Sequence, residues 1–63
     1  MTTIRAMFED GSRAREAQLK LQFLRVDGID ESPDGTSWTA AVDDELVERA
    51  IHLVRQTGGT VEL

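Results

Sequence analysis

The sequence contains no cysteine, so neither disulfides nor thiolate metal sites can supplement its core, and nothing marks an oxidising compartment. It lacks long apolar runs, and its first residues do not combine a basic flank with the apolar stretch of a signal peptide. We therefore expect a cytoplasmic protein that does not enter membranes. The chain of 63 residues predicts one small domain, residues 1–63, which as a monomer buries only about 60% of its unfolded surface.

Positive charge is scarce, and it is unevenly placed. The formal net charge is −5; residues 1–25 carry five Arg or Lys and three acids, whereas residues 26–63 carry two bases and nine acids. An acidic chain repels phosphate backbones, so we expect no nucleic-acid partner. Solubility alone explains the asymmetry; the alternative is self-association, in which the basic first helix of one copy meets the acidic end of another.

The first half of the chain predicts a strand followed by a helix. Apolar and polar residues alternate from Thr2 to Phe8, and Ile4, Ala6 and Phe8 share one side. Ser12 is the predicted N-cap of a helix that starts near Arg13 and ends between residues 25 and 27, before a stop at Gly28. The alternative is that the helix ends before Val26 and that Val26 begins the next strand.

The first helix has apolar residues on two sides. One side is the predicted core face, and its small alanines allow close approach to a sheet: Ala14, Ala17, Leu21 and Leu24. Leu19, Phe23 and Val26 fall on nearly the opposite side. Either Phe23 and Val26 wrap around the helix end to close the core, or the stripe contacts a second subunit or a partner helix.

The middle of the chain predicts a hairpin. A short strand over Gly28–Glu31 places Ile29 towards the core, and Ser32–Gly35 has the chemistry of a tight turn. In the second arm, Thr36–Val42, every second residue from Trp38 to Val42 falls on one face. We place Trp38 in the core beside Phe8 because it is the largest apolar side chain.

The clearest helix runs from Asp43 to Gly59. Acids before its first apolar residue supply capping oxygens, and the two glycines at its end supply a left-handed stop. Its apolar residues share one arc, with Ile51 at the margin of that arc. Thr60–Leu63 then predicts a last strand, with Val61 and Leu63 facing the core.

The predicted order of elements is strand, helix, strand, strand, helix, strand. This order is typical of the ferredoxin-like α+β fold, a four-stranded antiparallel sheet of strand order 4-1-3-2 with two helices on one face. The competing interpretation makes residues 26–42 a looser loop and leaves fewer strands.

The fold hosts many activities, so each is judged on its residues. The sheet face left uncovered carries no aromatic platform for RNA bases, and the first loop has no cysteine pair for a heavy metal. The chain has no asparagine, which the acylphosphatases of this fold require. The single histidine, His52, falls on the exposed side of its helix. We expect no enzymatic activity, no catalytic residue and no cofactor.

Acidic residues gather at one end of the predicted fold, and their oxygens suit Ca²⁺ or Mg²⁺: Asp27, Asp30, Asp43, Asp44 and Glu45. Helix capping and ordinary loop chemistry explain the same residues, and the spacing of a calcium-binding loop is missing. We therefore predict no metal site.

The segments AREAQLKLQFLRVDGI and DDELVERAIHLVRQTGGTVEL resemble the helix–glycine–strand halves of small bacterial ferredoxin-like domains. Those domains include general stress proteins and amino-acid-sensing regulatory domains. The ligand-sensing group carries a glycine-bearing turn between its first strand and first helix, and Gly11 matches that glycine. The resemblance implies the same fold.

The sequence thus predicts a small bacterial domain that works by associating with itself, as a homodimer, or with another protein. Two surfaces are candidate contacts: the stripe of Leu19, Phe23 and Val26, and the open sheet face around Arg5, Met7 and Thr39. The alternative function is a regulatory domain that binds an anionic metabolite near Gly11 and Ser12, where helix amides point outward.

Overall fold

The structure is a computed structural model that describes residues 1–24 and 26–62. In chain order, the domain consists of β1 (Thr2–Met7), α1 (Gly11–Leu21), β2 (Val26–Glu31), β3 (Ser37–Val42), a 3₁₀ turn (Asp44–Leu46), α2 (Val47–Gln56) and β4 (Thr60–Glu62).

The four strands form one antiparallel sheet in the order β2-β3-β1-β4. Helix α1 contacts β3, α2 contacts β1 and β4, and the two helices contact each other. The domain is therefore a ferredoxin-like α+β fold, and the predicted strand order is confirmed.

Trp38 is the centre of the core. It is 1% exposed, its ring centroid lies 6.0 Å from that of Phe8, and its indole Nε1 donates a hydrogen bond of 3.0 Å to the carbonyl oxygen of Ala14. The predicted position of Trp38 beside Phe8 is confirmed. The small side chains of Ala14 and Ala17 let α1 approach closely enough for this bond. The other fully buried apolar residues are Ile4, Ala6, Leu21, Ala40, Val42, Ala50 and Val54.

The predicted limits of α1 were wrong at both ends. Asp10, not Ser12, is the N-cap, because its carboxylate accepts a hydrogen bond of 2.8 Å from the backbone amide of Arg13. The helix ends at Leu21, four to six residues earlier than predicted. Val26 instead begins β2, the alternative boundary, where it lies opposite Val42 and packs against the core.

Gly28 was predicted to stop the first helix. It instead forms a bulge inside β2. Asp27 is opposite Ala41 and Ile29 is opposite Ala40, so Gly28 is the extra residue, and its φ of 85° favours glycine. Val26 and Ile29 are three residues apart, so strict alternation would place their side chains on opposite faces of the sheet. The extra residue in the bulge keeps both on the core side.

The second helical segment begins as predicted at Asp43, whose carboxylate accepts a hydrogen bond from the Glu45 amide, but its first turn is 3₁₀. After α2, Gly58 has a φ of 92° and turns the chain. Gly59 is buried against the ring of Phe8. Val61 packs against the core as predicted; the predictions for Arg25 and Leu63 lie outside the described residues.

We expect Gly59→Ala to destabilise the fold, because its Cβ would overlap the Phe8 ring. Overpacking of this kind costs about 1–3 kcal/mol. The matched control is Gly11→Ala, whose Cβ would lie 3.5 Å from its nearest neighbour, the Gly35 carbonyl oxygen. Urea unfolding followed by Trp38 fluorescence measures both variants. Equal free energies of unfolding would contradict the close packing of Phe8 on Gly59.

Candidate functional site

Two large apolar side chains remain in solvent at the outer side of α1. Leu19 is 56% exposed, and Phe23, in the turn after the helix, is 91% exposed. They are four residues apart, a spacing that places side chains on one side of a helical segment. We call this pair the α1 patch. Phe23 does not wrap around the helix end to close the core, which was one of the two alternatives.

Val26 does not belong to the α1 patch. The predicted stripe of Leu19, Phe23 and Val26 is therefore wrong for Val26. As part of β2, Val26 is partly buried and packs against the core from the sheet. The stripe required a helix that continues to Val26. The chain leaves the helix earlier because pairing of Val26 with Val42 buries both side chains between sheet and helices.

Exposed charged side chains lie along α1. Lys20 lies 3.9 Å from Glu16 in a salt bridge one helical turn away, and Arg13 lies 3.8 Å from Asp10 at the helix start. Both pairs are more than half exposed, so each contributes little to stability. Arg15 is also exposed. The outer side of α1 therefore combines apolar surface with a small excess of positive charge.

The open sheet face carries the second set of predicted contact residues. Arg5 is opposite Thr39 of β3 on one side and Glu62 of β4 on the other, and Thr39 is in turn opposite Asp30 of β2. One row across the sheet thus reads acid, threonine, arginine, acid. Met7, on the same strand face as Arg5, is only partly exposed. The structure brings Arg5, Met7 and Thr39 together on a face that is largely polar and carries more acids than bases.

Gly11 and Ser12, the predicted ligand-binding residues, line a shallow cleft of about 300 Å³ between the start of α1 and the β2–β3 turn. Arg15, Glu31 and Gly35 complete its lining. No sequence pattern predicts Arg15 and Glu31 at this cleft, because only the return of the chain through β2 brings them together. Glu31 places a negative charge in the cleft, and the Arg13 amide is already occupied by the Asp10 carboxylate.

The acids predicted to gather at one end are not arranged as a metal site. Among residues 1–24 and 26–62, no group of three or more His, Asp or Glu side chains could hold a metal ion. Asp44 accepts a hydrogen bond of 2.7 Å from the Thr2 hydroxyl and lies 3.4 Å from the terminal amine of Met1. Both contacts lower the pKa of Asp44, and the hydrogen bond from the Thr2 hydroxyl has the larger effect. Asp44 therefore ties the start of β1 to the turn before α2.

Asp34 has a similar local role in the hairpin. Its carboxylate accepts hydrogen bonds from the Ser32 hydroxyl at 2.6 Å and from the Thr36 amide at 3.1 Å. These bonds lower the pKa of Asp34, the Ser32 hydroxyl having the larger effect. The predicted tight turn over Ser32–Gly35 is confirmed, with Gly35 at a φ of 74°.

Comparison of the chain with protein-family models, with curated proteins and with solved structures finds no match. Within the described part of the chain, neither helix has the length and apolar character needed to cross a lipid bilayer. The surfaces of the domain are therefore the guide to its function.

We expect Phe23→Ser to leave the free energy of unfolding within about 0.5 kcal/mol of the parent protein, because Phe23 packs on nothing that folding buries. The matched control is Leu21→Ala, two residues away and fully buried, which should cost about 2–5 kcal/mol. Chemical denaturation measures both. A large loss of stability in Phe23→Ser would show that Phe23 serves the fold and not a partner.

Proposed function

We propose that the protein is a non-enzymatic binding module that associates with another protein through the α1 patch. The observation that carries this proposal is the 91% exposure of Phe23, next to the exposed Leu19. Large apolar side chains that folding leaves exposed near one another favour an interaction site. The polar and acidic open sheet face offers less apolar area for the same purpose.

The expected partner surface is an apolar groove with an acidic rim. Leu19 and Phe23 supply the apolar contact, and full burial of one such side chain is worth about 1.5–3 kcal/mol. Arg15 and Lys20 are exposed on α1 and complement acids on the partner, which raises the association rate and sets the orientation. Protein interfaces commonly combine a buried anchor side chain with a polar, solvent-accessible rim.

The test is photo-crosslinking from a benzophenone amino acid placed at position 23, where it preserves an aromatic ring. The matched control carries the same amino acid at position 52, which is exposed on α2. We expect one adduct of defined mass from position 23, absent from position 52, lost in Leu19→Ser and weakened in Arg15→Glu. The same adducts from both positions, no adduct, or an adduct only between two copies of this chain would contradict the proposal.

The second candidate function is the sensing of a small anionic metabolite in the cleft beside Gly11 and Ser12. Arg15 and the outward amides at the helix start favour an anion, whereas Glu31 and the Asp10 cap oppose it. We therefore place it second. The probes are inorganic phosphate and acetate, titrated while the Gly11 and Ser12 amide resonances are followed by NMR. Saturable shifts confined to these amides, and lost in Arg15→Gln, would support sensing; uniform, non-saturating shifts would exclude it.

A further inference from the structure

The two edges of the sheet are built differently. The edge strand β2 carries the Gly28 bulge and three exposed acids, Asp27, Asp30 and Glu31. Bulges and edge charges of this kind discourage the addition of another strand. The opposite edge strand, β4, is Thr60–Glu62, whose single acid, Glu62, lies opposite Arg5 of β1. Among residues 1–24 and 26–62, no strand pairs with the outer side of β4.

Helix α2 presents an apolar residue above this unprotected edge. Leu53 packs against the core, whereas Ile51 is partly buried and lies outside the core cluster. At about 100° per residue, Ile51 and Leu53 fall on opposite flanks of the arc centred on Ala50. One flank therefore faces α1, and the other lies above β4.

The handedness of the fold decides which flank is which. Arg13 of α1 lies against Gly58 at the end of α2, whereas Arg15 lines the cleft with Glu31 of β2. This arrangement is the one that right-handed crossovers produce. In this arrangement α2 lies above the sheet and runs antiparallel to β4. Because an α-helix winds to the right, Leu53 then lies on the flank towards α1 and Ile51 on the flank above β4.

Two charged residues on the same flank are arranged symmetrically about Ile51. Glu48 lies three residues before it and Arg55 four residues after it, about 4.5 Å and 6 Å along the helix axis. Both side chains are exposed. An antiparallel copy of α2 across a two-fold axis would therefore place each Glu48 opposite Arg55 of the other copy, with the two Ile51 side chains between them.

The spacing of the layers permits this helix contact when two β4 strands pair. Two helices cover four strands, so each helix occupies the width of two strands, about 9.6 Å. Extending the sheet across β4 repeats that interval, which matches the 8–10 Å usual between packed helices. The lateral spacing of strands and helices is therefore compatible with both contacts about one two-fold axis.

We propose that a second copy of this chain pairs with β4, giving a continuous eight-stranded antiparallel sheet in which the α2 helices meet through Ile51 and reciprocal Glu48–Arg55 ion pairs. The interface is separate from the α1 patch, so the dimer would present two such patches. Its small size places it among weak, concentration-dependent interfaces.

Sedimentation equilibrium from about 10 µM to about 1 mM tests the dimer. The mass should rise from that of one chain towards twice that value. Glu48→Arg and Arg55→Glu should each lower the association constant about tenfold, and the double variant should restore it to within about threefold of the parent. Arg49→Glu is the matched control, because it makes the same charge change on the α1 side of α2.

Several outcomes would overturn the dimer. These are a monomer at every concentration, equal effects of Arg49→Glu and Arg55→Glu, or no recovery in the double variant. Circular dichroism of each variant must show the parent helix content, so that a loss of mass cannot come from unfolding. Phe23→Ser should leave the association constant unchanged; if it abolishes the dimer, the copies meet through the α1 patch and the β4 interface is wrong.

Discussion

The hydrogen bond from the Trp38 indole to the Ala14 carbonyl holds the two layers of this domain together. A buried indole N–H without an acceptor would cost about 1–3 kcal/mol, so the bond fixes both the depth of Trp38 and the distance of α1 from β3. Small residues on the core side of α1 are a condition of that distance. The chain has one tryptophan, and most of the remaining core is aliphatic or alanine.

This constraint explains what is left at the surface. The core side of α1 consists of Ala14, Ala17 and Leu21, and the equally large Leu19 and the larger Phe23 lie on the outer side. A helix that needed those two residues for folding would turn them inward at the expense of the Trp38–Ala14 contact. Their exposure is therefore a consequence of how α1 is anchored, and it leaves them accessible to the partner that we propose.

Much of the fold could be predicted from the sequence, because period-two and period-3.6 patterns report directly on which side of an element is buried. Alternation placed Val42, Ile4 and Ala6 in the core, and alternation together with its size placed Trp38 there. The cap of α1 was missed because Asp10 and Ser12 have equally suitable side chains, and only the backbone path distinguishes them. The bulge at Gly28 had a signal, since Val26 and Ile29 are both apolar at an odd spacing within one strand.

The candidate surfaces were harder to predict than the core. The helical wheel placed Leu19 and Phe23 correctly on the outer side but carried Val26 with them, because periodicity does not show where a helix ends. The cleft beside Gly11 joins residues from distant parts of the chain, and so does the β4 edge below Ile51. Local sequence patterns do not show which distant residues become neighbours, because that depends on how the strands and helices are arranged in the whole fold.

The most direct test of this account is hydrogen exchange of the Trp38 indole N–H, measured by NMR under native conditions. If the bond to Ala14 joins the two layers, this proton should exchange only through global unfolding, with the same free energy as the slowest core amides of β1 and β3. Exchange of the indole proton orders of magnitude faster than those amides would show that α1 leaves the sheet independently, and the account would fail.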